Sequence, residues 1–188
     1  MKIRTKQKNS GFTLVETLVA IAIFVVSVLA MLISLGGGIK NVNYVKQKII
    51  ATYLAQEGIE YFRNVRDNHV LFDDLNDGQV GWDNFTAQML ANQCNDLTLG
   101  CGFDDQIFPQ SDPNAVFSCA SGCELNLLNG KYVVPTYGGD DSNFRRSVVV
   151  LVNTGPSGDM MQVTSTVTWL QGSGPNSVTF SENIFNWY

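Results

Sequence analysis

Charge is what this sequence has least of. Only 15% of its 188 residues are Asp, Glu, Lys or Arg, against about 25% in an average soluble domain. With 45% hydrophobic residues beside so little charge, a disordered acidic tail is excluded. Histidine is scarcer still. His69 is the only one, and no serine sits in a G-x-S-x-G elbow, so nucleophile-and-base catalysis has no apparatus. Gly36-Gly37-Gly38 is not followed by Lys and Ser or Thr, and no dinucleotide glycine pattern occurs, so no phosphate-cradling loop is present. The chain reads as a non-enzyme. It has one long apolar run where a multi-pass transporter needs several. With a net charge of −5, its summed field repels phosphate, so no nucleic-acid partner is expected.

What is present is concentrated at the amino end. Lys2, Arg4, Lys6 and Lys8 supply four of the twelve basic residues, with no acid among them. Thr17 to Ile39 follows without a charge. As a helix those residues would span roughly 35 Å, enough to cross a hydrocarbon core of about 30 Å. Basic residues before an apolar run stay on the cytoplasmic side, which places the acidic remainder across the membrane. Glu16 is the anomaly, because it stands among Phe12, Leu14, Val15, Leu18 and Val19. A carboxylate at membrane depth costs about 2.5–3.5 kcal/mol on insertion scales. No Lys or Arg lies within a helical turn of it. A chain cut just before Phe12 would expose an α-amino group of the required sign.

Ser10-Gly11-Phe12-Thr13-Leu14-Val15-Glu16, after a short basic leader, resembles the class III signal of type IV pilins and type II secretion pseudopilins. The resemblance implies cleavage by prepilin peptidase between Gly11 and Phe12, with methylation of the new amino terminus at Phe12. It implies that Glu16, fifth in the mature chain, sets subunit registration. The partners implied are prepilin peptidase, other pilin or pseudopilin subunits met through the amino-terminal helix, and an inner-membrane assembly platform. The location implied is the cytoplasmic membrane, single-pass with the head outside, and then an extracellular or periplasmic filament. Physical chemistry agrees position by position. Glycine at the cut lets the backbone lie extended in a protease cleft. An amine on one subunit can neutralise Glu16 of its neighbour where neither charge could stand alone.

Beyond the run, Val42, Val45, Ile49, Tyr53, Ala55/Gln56, Ile59, Phe62 and Val65 recur at spacings of three and four, an amphipathic stripe. No proline precedes Pro109, so one helix from about Thr13 to Arg66 is expected, with Asp67-Asn68 as its stop. Gly36, Gly37 and Gly38 weaken it locally, by about 1 kcal/mol each relative to alanine. They read as a hinge or as a short juxtamembrane loop. Residues 69–130 have no sustained period and read as an irregular, cysteine-bearing region. From 131 to 188 strands dominate: Lys131–Tyr137, Arg145–Val152, Met161–Leu170 and Val178–Ile184, with a turn cluster at 172–176. The fold expected is α+β, a long amino-terminal helix packed on an antiparallel sheet of about four strands. The divisions expected are a leader at 1–11, an assembly helix at 12–39, its amphipathic continuation at 40–68, the loop region at 69–130 and the sheet at 131–188. This order also resembles minor pilins.

Cys94, Cys101, Cys119 and Cys123 all follow the apolar run, on the side where oxidation prevails. They allow three pairings, and the sequence does not choose. C-x6-C with C-x3-C matches zinc spacing poorly. Asp73-Asp74-Leu75-Asn76-Asp77-Gly78 fails as a calcium loop, with Leu75 at a ligand position and Asn84 where the bidentate Glu belongs. No metal site and no cofactor are expected. Calcium at one of the Asp pairs (73–74, 104–105 or 140–141) stays open, because related secretion subunits hold it in irregular loops. Two other classes remain: a single-pass anchored extracytoplasmic binding module that never polymerises, and a secreted enzyme released from its helix.

Overall fold

The computed structural model describes residues 11–71, 78–107, 115–153, 159–172 and 174–187. The chain divides into two compact units, one up to Val45 and one from Lys46 to Tyr188. Helix α1, Leu14–Leu71, runs through the division. It carries an 18-residue window of mean hydropathy 3.0, long and apolar enough to cross a membrane.

In the first unit every described residue from Gly11 to Val45 is exposed, Lys40 aside. Among the described residues of that unit, none covers the apolar side chains. Gly36, Gly37 and Gly38 lie inside the helix, and a Cβ added at any of them would meet no atom within 4 Å. Packing within the chain does not require glycine there.

Among its described residues, the second unit holds the rest of α1, helix α2 (Gly78–Ala91) and seven strands. These are β1 (Cys101–Phe103), β2 (Val116–Ser118), β3 (Glu124–Leu128), β4 (Lys131–Val133), β5 (Asp140–Asn153), β6 (Met160–Gln171) and β7 (Gly174–Phe185). All pairings are antiparallel. β5 is the spine: β6 lies on one side of it, and β1 and β3 pair with different stretches of the other. The α+β architecture expected from the sequence is present, with seven strands rather than about four. The additional strands are three to five residues long, too short for alternation to register.

Alternation decides the core. On β6, Met161, Val163, Ser165, Val167 and Trp169 are buried, and the intervening residues are not. Phe144, Val148 and Val150 of β5 share that face. α1 covers it through Ala51, Leu54, Ala55, Ile59, Phe62 and Val65, whereas Val42, Val45, Ile49 and Tyr53 of the expected stripe are exposed. Helix and sheet approach closely at Gly58, where a Cβ would stand 3.1 Å from the Ser165 Cβ. Two small residues face each other, so the helix can sit low on the strands.

Three expectations need correction. The helix continues past Asp67-Asn68 to Leu71. Asn68 Nδ2 donates to Asn64 Oδ1 at 2.7 Å, and Val70 is buried, so local bonding and tertiary cover override the stop signal. The strand expected at Lys131–Tyr137 ends at Val133, because Pro135 opens a 3-10 turn through Tyr137. Residues 78–91, expected to be irregular, form α2. Its glycines and Asn and Thr residues hide the helix from propensity, yet Gly81 is needed. A Cβ at that position would stand 2.3 Å from the His69 carbonyl oxygen.

Candidate functional site

The Gly11–Phe12 bond precedes the helix, in a stretch without regular structure. Phe12 is 77% exposed. Thr13 starts the helix by a local device. Its Oγ1 accepts from the Glu16 backbone N–H at 3.3 Å, and its carbonyl accepts from the Thr17 N–H at 3.2 Å. Thr13-Leu-Val-Glu16 therefore has the spacing of a capping box. Glu16 falls in the first turn, where the helix dipole favours an anion. Further along, the Thr17 and Ser27 hydroxyls donate to the carbonyls of Leu14 and Ile23, both at 2.8 Å. Both hydroxyls are satisfied within the helix, as an apolar medium demands. The arrangement supplies an accessible peptide bond, a capped acidic turn and a long apolar surface without cover.

The cysteines pair as Cys94–Cys101 and Cys119–Cys123. The first bridge lies in the core: Cys94, just past α2, offers its carbonyl to the Val150 N–H at 2.8 Å, and Cys101 pairs with Val148. Asp96 shapes the loop between them by accepting from the Thr98 and Leu99 N–H groups. Those backbone bonds hold its carboxyl below the usual aspartate range. The second bridge closes a 3-10 turn, and the Cys123 carbonyl accepts from the Arg146 N–H at 3.0 Å.

Sequence reasoning passed over the charge at the centre of this unit. Arg146 is 3% exposed. Its Nη1 donates to Glu57 Oε2 at 2.6 Å, and its guanidinium lies 3.7 Å from the Phe103 ring centroid. Tyr61 stacks on the same ring at 4.1 Å, and burial pushes its hydroxyl pKa up. Burial lowers that of Arg146, opposed by Glu57; the guanidinium stays charged. A signal was available. Arg146 falls in phase with Phe144, Val148 and Val150, so alternation puts it on the apolar face.

Two of the three Asp pairs serve turns. Asp104 Oδ1 accepts from the Gln106 N–H at 3.0 Å, and Asp141 Oδ1 from the Asn143 N–H at 2.8 Å. Asp73-Asp74 lie outside the described residues. Among the described residues no group of three or more His, Cys, Asp or Glu side chains could hold a metal ion. His69 Nε2 lies 2.9 Å from Gln88 Oε1 and ties the end of α1 to α2.

Against known proteins, residues 6–32 match the model of the prokaryotic N-terminal methylation motif. No curated protein and no solved structure matches the chain.

Proposed function

We propose, for a chain that is type IV pilin-like by its amino-terminal motif, that it is a minor pilin or pseudopilin, a structural subunit of a pilus-like filament. Prepilin peptidase cuts between Gly11 and Phe12 and methylates Phe12. The cut removes the leader cations and creates an amine. Glu16 then neutralises the amine of a neighbouring subunit as the apolar helices stack. Gly36, Gly37 and Gly38 are the hinge, helical in the lone subunit and able to lengthen in the fibre. The second unit is the head, outside the cytoplasmic membrane, stapled by its two disulfides. The assembly platform and other pilin subunits are its partners.

One observation carries this reading: the methylation motif runs into a helix whose apolar residues are all exposed, from Leu14 through Ile39. A helix with that much uncovered surface needs lipid or other helices around it. An anchored binding module would use the lipid alone. Glu16→Ala separates the two. Cleavage proceeds in the variant, but its share in sheared fibres falls at least tenfold, the order expected when one partner of a dry ion pair is removed. Incorporation at the wild-type level would refute the registration role, whereas absence of the wild-type chain itself from sheared fibres would favour the module.

A further inference from the structure

α1 carries two apolar faces, and only one is covered. On the side toward the sheet, Ala51, Leu54, Ala55 and Gly58 are buried. At about 100° per residue, Val42, Val45, Ile49 and Tyr53 gather on the opposite side, and all four are exposed. Lipid does not reach them all. Ile49 and Tyr53 stand roughly 15 and 21 Å along the helix past Ile39, where the uncharged run ends, and the headgroup layer adds only about 5–8 Å. The face is also periodic. Leu35, Gly38, Val42, Val45 and Ile49 alternate spacings of three and four, the a and d positions of a heptad. Gly38 opens a notch of about 320 Å³ lined by Leu35, Ile39 and Val42, and glycine on a helix face lets a second backbone approach.

We propose that this face takes the same face of a second copy of the chain, as a parallel, in-register two-stranded coil over residues 35–49. The pairing rests on anchorage of the apolar run in a membrane, and it precedes any fibre. Anchorage fixes direction and register together, because two copies held by the same run point the same way and bring their seams to the same height. Val42 and Ile49 at a are the β-branched residues that parallel two-stranded coils favour there. The flanks suit a copy as well. In register, a residue at g meets the residue at e five positions on in the partner, so Lys48 faces the partner's Tyr53 and Asn41 the partner's Lys46. No like charges oppose. The seam ends where exposed Gln56 and Glu60 take over that side of the helix. The sheet packs on the opposite side of α1 and leaves room for the second helix. A two-fold contact of this kind closes at two.

The test is cysteine cross-linking of the full chain in its native membrane with a short bis-maleimide. Val42→Cys, Val45→Cys and Ile49→Cys each give a covalent dimer, while Asn43→Cys and Gln47→Cys, turned away from the seam, give little. Adding Ile49→Glu to Val42→Cys lowers the dimer yield at least about tenfold, because two apolar side chains lose their burial. Ile49 is exposed on the side away from the core, so the head stays folded in that variant. The proposal is overturned if a chain that fractionates with the membrane cross-links at none of these positions or at all five alike. It is overturned equally if Val42→Cys joins only Ile49→Cys of a co-expressed chain, the mark of a staggered neighbour, or if the glutamate has no effect. Those results would leave the amino-terminal mass and the Glu16→Ala fibre assay unchanged, so the pairing and the pilin-like reading fail separately.

Discussion

Replacing Glu57 by alanine leaves Arg146 buried without its carboxylate. Where both partners are buried, breaking such a pair costs about 3–5 kcal/mol, mostly because a charge is stranded. Here the Arg146 side chain is 3% exposed and that of Glu57 40%. Water entering from the Glu57 side recovers part of the loss, which lowers the figure to roughly 2–3 kcal/mol. In a chain of this length each kcal/mol moves the melting midpoint by roughly 2–4 °C, so a fall of roughly 5–10 °C is expected. Glu57→Gln keeps an acceptor and falls in between. Adding Arg146→Leu to Glu57→Ala removes the stranded charge and fills the space with apolar atoms, so stability returns in part. The assay is thermal unfolding in detergent, followed by near-ultraviolet circular dichroism of the buried Trp82 and Trp169. If Glu57→Ala melts with the wild type, or the double variant is no better than the single, Arg146 does not depend on Glu57.

Three further outcomes follow from the same unit. Gly81→Ala drives a Cβ against the His69 carbonyl, and such overpacking lowers stability by about 1–3 kcal/mol; equilibrium denaturation of wild type and variant measures it. Non-reducing digestion yields peptides joined as Cys94–Cys101 and Cys119–Cys123, and either crossed pairing contradicts the structure. Removing the first bridge by paired alanines costs about 2–3 kcal/mol, more than removing the second, because it closes the longer loop, with a sequence separation of 7 against 4.

Long, regular patterns were legible. The uncharged run announced α1, and the alternation from Met161 to Trp169 announced β6 and its buried face. Short or locally contradictory elements were not. β1 and β2 have three residues each, fewer than two full alternations, and are held by Gly100, Cys101 and neighbouring strands rather than by their own sequence. α2 carries Trp82, Phe85 and Met89 at spacings of three and four, but Gly78 and Gly81 masked it. Its reason for existing is tertiary, a close crossing over the end of α1. At the amino end, Gly11, Phe12 and Glu16 stood out because charge and hydropathy isolate them. Glu57 did not, because a glutamate on an amphipathic helix looks like any solvent-facing residue until Arg146 is placed beneath it. The cysteine pairing needed three-dimensional neighbours, since spacing alone allowed three solutions.

Registration through Glu16 requires an α-amino group at Phe12, which only cleavage after Gly11 creates. The mass of the amino-terminal peptide, taken from protein purified out of its native envelope, measures that directly. The expected peptide starts at Phe12 and carries one additional methyl group. A peptide that still begins at Met1, or one that begins beyond Gly36, would contradict it.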